Sequence, residues 1–315
     1  MTPPASVWQK AFHLTAVLAL AAFTFAGLGA PTQDSPQDSL QTDPALQRLV
    51  GRAVSQMGLT RLVHEGRLAL SFIDLSDPAA PHYAGLNDRE MMYAASLPKI
   101  AILVAGFERI REGLMPYTPG VKQMFTRLAR YSSNEDASRA IHQIGFDYIA
   151  GVLTSPKYRL YDPGQNGGLW LGKAYGGPND RWKRDPLHNL SHGATSLQVA
   201  RFFLMMDEGR LVSPRFSAEI KEMLSEPGIH HKFVKGLDGK PDHRIYRKSG
   251  TWRQWHSDAA LVEAGGKKYI AVALVEDGRG GEILPGLIRK LDDIVCNGET
   301  EPSQTLAQAR RPRPH

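Results

Sequence analysis

The chain has 315 residues, 42% of them hydrophobic and 22% charged, which is an ordinary globular composition with room for one large domain or two intertwined ones. Its formal net charge is +6, but Lys10 lies near the N-terminus and Arg310, Arg311 and Arg313 at the C-terminus. The part between is only mildly basic and has no continuous basic stripe, which argues against a nucleic-acid partner. The single Cys296 excludes an internal disulfide and a cysteine-based metal cluster.

Residues 11–30 follow Lys10, carry no charge, and are interrupted only by His13. They read as a secretory leader cut after Ala26 or Ala30, or alternatively as an uncleaved anchor. Both readings export the remainder, so a periplasmic or secreted protein is expected, touching membrane only through an uncleaved leader. Residues 31–43 are rich in Pro, Ser and Gln and read as a linker, residues 44–296 as the folded domain, and 297–315 as a disordered tail.

Leu46, Leu49, Val50 and Val54 recur at helical spacing, and the helix they predict stops near Gly58. Leu68, Leu70 and Phe72 alternate, Asp77-Pro78 makes a turn, and residues 82–86 return as the second strand of a hairpin. Helices are predicted over 100–110, 124–130 and 135–144. Residues 158–184 hold many glycines among Trp170, Tyr175 and Trp182 and read as a compact lid. Further helices are expected over 196–206, behind a Ser/Thr cap, and over 217–224. Strands follow at 245–252, 259–263 and 269–275, then a last helix over 283–295. This order predicts an α+β fold: an antiparallel five-stranded sheet built from both chain ends and flanked by helices, with a helical subdomain at about 100–240.

The chemistry centres on Ala95-Ser96-Leu97-Pro98-Lys99 and the apolar run behind it. A serine three residues before a lysine at a helix start places hydroxyl and amine on one helical face. An activated serine needs that arrangement, a weak nucleophile beside a base that takes its proton. Two further segments follow in order, Ser132-Ser133-Asn134 and Lys248-Ser249-Gly250-Thr251.

These three segments together resemble the serine β-lactamase and penicillin-binding-protein superfamily, nearest to its class A-like branch, over roughly residues 44–296. The resemblance implies the β-lactamase/transpeptidase fold and acyl transfer through Ser96 without cofactor or metal. Lys99 is then the base, and burial and the neighbouring Lys248 would lower its pKa. Ser132 relays a proton to the departing nitrogen, and Asn134 holds the substrate's amide side chain. Lys248 offers a charge to a substrate carboxylate, Ser249 and Thr251 add hydroxyls, and Gly250 lets a ligand lie close to the strand. The oxyanion hole is expected from the Ser96 and Thr251 backbone N–H groups. Arg253 is a further candidate for carboxylate binding.

One departure limits the resemblance. Class A β-lactamases carry a loop glutamate that activates water to clear the acyl-enzyme, and this chain has no glutamate between Asp136 and Asp207. Asp162 is the candidate stand-in among Asp162, Asp180 and Asp185, against a plain turn role before Pro163. The expectation is therefore β-lactam (cyclic amide) hydrolysis by a monomer, with a small β-lactam or peptidoglycan-like amide as substrate. The alternatives are a D-alanyl peptidase- or esterase-like enzyme, or a non-hydrolytic β-lactam-binding sensor that releases its acyl group slowly. The histidines, including His188, His192, His243 and His256, read as loop packing, and a Ser-His-Asp triad through His256 and Asp258 lacks an elbow to present its serine. Trp170, Trp252 and Trp255 are expected to line or roof the cleft.

Overall fold

Asp43 opens the first helix: its carboxylate accepts hydrogen bonds from Ala45 N and Leu46 N at 2.7 and 3.0 Å, and Pro44 takes the first helical position. In this computed structural model, which describes residues 40–177 and 180–298, the helix α1 (Pro44–Gln56) buries Leu46, Val50, Ala53 and Val54 along one stripe. A short α2 (Thr60–His64) leads into the hairpin of β1 (Leu68–Asp74) and β2 (His82–Leu86), then β3 (Met92–Tyr93). Next come α3 (Lys99–Arg111), α4 (Pro119–Arg130), α5 (Asn134–Ile144) and α6 (Phe146–Thr154). Four short strands follow: β4 (Tyr161–Asp162), β5 (Gly167–Gly168), β6 (Trp170–Leu171) and β7 (His192–Ala194). The chain continues through α7 (Ser196–Asp207), α8 (Pro214–Leu224) and α9 (Phe233–Gly236) to β8 (His243–Trp252), β9 (Trp255–Ala264), β10 (Lys267–Glu276) and α10 (Gly280–Cys296). The leader, the linker up to residue 39 and the tail beyond 298 lie outside the described residues.

The principal sheet is five-stranded and wholly antiparallel, in the order β2-β1-β10-β9-β8, so strands from both ends of the chain build it as expected. Both faces are covered, and strand alternation divides the core in two. Leu68, Leu70 and Phe72 of β1 face α1 and α10, where Leu284, Leu287 and Leu291 complete the layer. Ala69 and Ile73 face the helical side with α3 and α7. Ser71, between them, is buried on the same side and its hydroxyl pairs with that of Ser196 at 2.9 Å.

The helix α3 is buried from Lys99 to Glu108 on every side, as a helix central to its layer must be. It packs against α5 and α6. At Gly106 a Cβ would meet the Phe125 ring of α4, so a side chain there would force the helices apart. Sequence periodicity did not reveal α2, α6 or α9, and residues 158–184 are more structured than a lid. That segment forms the β4–β5 ladder and pairs β6 with β7, which also pairs with β3. Among the described residues no helix is long and apolar enough to cross a membrane.

Candidate active site

Three chain segments meet at the N-terminus of α3. The backbone enters it through Ala95 in the left-handed region, at φ +52°, an unusual conformation for a residue with a side chain, and this sets Ser96 at the mouth of a cleft. Ser132 is also left-handed, at φ +55°, where the chain turns from α4 into α5. Ser133 caps α5 by accepting from Asp136 N at 3.2 Å, which leaves Asn134 as the first helical residue, aimed at α3.

Lys99 is fully buried, and its Nζ donates to Ser132 O at 2.5 Å and Asn134 Oδ1 at 2.8 Å, with Ser132 Oγ at 3.4 Å. Lys248, on β8, donates to the same Ser132 Oγ at 2.8 Å and to Ser249 O at 2.8 Å. The Ser132 hydroxyl thus stands between two lysines. Burial pulls the Lys99 ammonium down to about 7. Burial also holds Lys248 well below the usual lysine range, and the charge of Lys99 adds to that effect. Neither Ser96 Oγ nor Ser96 N–H has a hydrogen-bond partner among the described residues.

The wall opposite Ser96 is β8. At Gly250 a Cβ would stand 2.7 Å from Ser96 N and press on Ala94 O, while Ser257 Oγ donates to Ala94 O at 2.9 Å. The close approach that requires glycine is therefore to the protein's own Ala94–Ser96 backbone, in place of the expected approach by a ligand. Thr251 lines the cleft, and its hydroxyl accepts from Lys232 Nζ at 2.7 Å. Ser249 is buried and does not line it.

Lys232 escaped the sequence reading. Only 1% exposed, it donates also to Gly250 O at 2.5 Å and Ser257 O at 3.1 Å, and burial brings its pKa down to about 8. Behind it, Arg247 and Asp258 form a fully buried two-bond pair at 2.7 and 2.8 Å. That pairing removes Asp258 from any triad with His256, whose Nδ1 is buried without a partner among the described residues. His243 bonds Asp292 at 2.9 Å, where Lys240 also pairs with the carboxylate, so the His243, Asp292 and Cys296 cluster is already neutralised by an ammonium.

The remaining candidates are dispersed. Asp162 is not in the cleft: its carboxylate accepts from Arg159 at 2.8 Å and from Gly164 N at 2.9 Å, a turn role that holds it on β4. Asp185 is buried and accepts from the Tyr161 hydroxyl at 2.6 Å and from three backbone N–H groups. Arg253, left-handed at φ +50°, is exposed beside Trp252 and does not reach the Ser96 cleft. Trp252 does line that cleft, but Trp170 is core, stacked 5.7 Å from Trp182. The loop supplies Tyr175 and β7 supplies His192 instead. The Tyr175 ring lies 4.3 Å from Lys99 Nζ and 4.5 Å from the His192 ring, and its hydroxyl donates to Ala95 O at 3.3 Å. Burial takes His192 down to about 4, so the ring is neutral, with its Nε2 against Lys173 O at 3.0 Å.

The cleft has a volume of about 310 Å³, and among the described residues no carboxylate lines it. Comparison with known proteins accounts for its frame. A β-lactamase enzyme family model matches residues 178–297. The solved structure of PBP-A superposes with a TM-score of 0.62 at 17% identity, covering 81% of this chain and 98% of that one. The fold is that of the serine β-lactamase and penicillin-binding-protein superfamily. A β-lactamase from Sphaerobacter thermophilus shares this superfamily fold at a TM-score of 0.61 and 15% identity, covering 78% and 97% of the two chains. So does a variant of the last common ancestor of Gram-negative bacteria β-lactamase class A, at 0.57 and 17%, covering 79% and 97%. No curated protein sequence matches the chain.

Proposed function

We propose that this protein is an exported, β-lactamase-like serine hydrolase that opens β-lactams and related amides by acylating Ser96, and that attack by Ser96 is faster than release from it. The observation carrying this reading is the Lys99–Ser132–Lys248 chain one helical turn from Ser96, whose hydroxyl has no hydrogen-bond partner among the described residues.

Lys99 Nζ, part of it unprotonated near neutral pH, takes the Ser96 hydroxyl proton as Oγ attacks the carbonyl carbon. The oxyanion forms against the unpaired Ser96 N–H and the edge of β8 at Thr251. When the C–N bond breaks, the nitrogen takes the Ser132 hydroxyl proton, and Ser132 is reprotonated by the Lys99 ammonium 3.4 Å away. Lys248, buried behind the cleft lining, steadies that hydroxyl. Asn134 flanks the acyl side chain from the other wall. Charge then returns to the starting state, with the acyl group on Ser96 Oγ.

Release needs water and a base. Positioned general bases contribute about 10²–10⁴-fold to such steps, and the cleft offers no carboxylate among the described residues. The adduct should therefore persist. Incubation with a chromogenic cephalosporin, followed by absorbance and intact mass, tests this. A single stoichiometric colour burst and a stable mass increase, both lost in Ser96→Ala, support the reading. Sustained turnover overturns the order of rates, and unchanged labelling of Ser96→Ala overturns the nucleophile.

A further inference from the structure

Beyond the cleft, across Trp252 and Lys173, lies a second basin of about 560 Å³. The two cavities share Tyr93, Lys173, Ser191 and Trp252 in their walls, so they adjoin each other. Four cationic side chains line the outer basin, Lys173, Arg181, Arg184 and Arg253, and no carboxylate does so among the described residues. Among those residues none of the four forms an ion pair. Arg184 donates to the Asn189 carbonyl at 2.7 Å, and the Arg253 guanidinium lies 5.6 Å from the Trp252 ring.

The walls between these charges are aromatic. Trp252 is 53% exposed, and Tyr93 meets Trp255 edge-on at 5.4 Å. Elsewhere on this surface several cations are paired, Arg139 with Glu135, Arg130 with Glu222 and Glu226, and Arg61 with Glu65, and among the described residues the unpaired ones are not gathered around one cavity with an exposed indole. An unmatched set of four positive charges around exposed indoles is costly as self-repulsion and becomes favourable when an anion enters.

Building on the acyl-Ser96 reading, we propose that the substrate is doubly anionic. One negative group lies in the cleft against Thr251, whose hydroxyl is backed by the buried Lys232. A second, borne with a flat apolar group on the acyl portion, occupies the outer basin among Arg181, Arg184 and Arg253. Lys173 lines both cavities next to Ala174, Tyr175 and Gly176 of the cleft wall, so a side chain laid along that wall is the part of the substrate that reaches the basin. The carboxylate or phosphate of a cell-wall-type peptide or a carboxyaryl side chain has this chemistry in common.

Three penicillins that differ at one carbon provide the test: carboxybenzylpenicillin, benzylpenicillin and aminobenzylpenicillin carry a negative, neutral and positive group at the same place. Acylation of the full chain is followed by intact mass at low salt. The carboxy compound is expected to react about tenfold faster than the amino compound, with the neutral one between. The ratio should fall toward one in about 0.5 M salt and should invert in Arg181→Glu/Arg253→Glu. Equal rates in the unmodified protein, or a ratio that survives the charge reversal, overturn the proposal. A second measurement does not depend on acylation: phenylmalonate is titrated into Ser96→Ala while tryptophan fluorescence is recorded. Saturable quenching lost on charge reversal supports the basin, and its absence in Ser96→Ala overturns it. If phenylmalonate binds while no penicillin labels Ser96, the acyl-Ser96 reading fails and the anionic site stands.

Discussion

Tyr175 lays its ring 4.3 Å from the Lys99 ammonium nitrogen and ties its hydroxyl to Ala95 O at 3.3 Å, next to Ser96. An aromatic face thus covers Lys99 from the loop side. Burial holds the phenol far above its ordinary range, so it stays protonated and takes no proton from water. On the acyl-Ser96 proposal, the loop meets Lys99 with a group that cannot activate water for release.

A carboxylate in that position should convert a trap into a turnover enzyme. Tyr175→Glu is expected to shorten the acyl-enzyme lifetime by about 100-fold, within the range a positioned base supplies. Decay of the penicillin adduct, timed by intact mass, gives the answer. Tyr175→Gln, similar in size but unable to accept a proton, should leave the lifetime long.

Lys99 fixes the pH dependence. Its burial moves it from the ordinary 10.5 to about 7, and it works as a base only when unprotonated. The acylation rate constant should therefore climb as pH rises through about 7 and level off above it. The same shift has a stability sign. Between about 7 and 10.5 the unfolded chain holds a proton on this lysine that the folded protein has released, so stability rises with pH across that window. Lys99→Met should abolish acylation, raise the unfolding free energy at pH 7 by about 1–2 kcal/mol, and flatten the slope. Denaturant midpoints at pH 7 and pH 9 check all but the first.

The periodicities of 46–54, 68–72 and 269–275 made the sheet and its terminal helix legible, because a half-buried strand or helix must repeat its apolar residues. The three segments that meet at the start of α3 were legible because each is short and local. The parts that were missed depend on contacts between distant segments. Lys232 earns its place by facing Gly250 and Thr251, residues that no spacing rule connects to it. Trp170 and Trp252 look alike in a glycine-rich or turn setting, and only the stack on Trp182 sends one to the core. Asp162 has the right residue type in the right loop, yet Arg159 and Gly164 N hold it on a turn.

The Arg247–Asp258 pair joins β8 to β9, and both side chains are buried. Removing one partner leaves an uncompensated charge, so Asp258→Asn should cost about 3–5 kcal/mol. An apolar double replacement, Arg247→Met with Asp258→Leu, should recover most of that loss. Chemical denaturation of the single and double variants, analysed as a cycle, measures the coupling.

Gly250→Ala tests the contact between β8 and the nucleophile. The added methyl would collide with Ala94 O and sit 2.7 Å from Ser96 N, so strand and nucleophile must separate. A penicillin acylation rate at least about 100-fold lower is expected, the scale of losing an oxyanion donor, with a near-native circular dichroism spectrum. Retained acylation would show that the oxyanion does not form against this edge.

The bond from Lys248 to Ser132 joins residues 116 positions apart, and Ser257 reaches Ala94 across 163. Ser96 and Lys99 leave a ribosome long before β8 and β9 exist to close the cleft. A chain that is incomplete, or complete with its last strands undocked, carries the nucleophile and its base without the wall they work against. On the acyl-Ser96 proposal, covalent capture of a fluorescent penicillin counts finished molecules only, and its time course during refolding would record when the C-terminal strands dock.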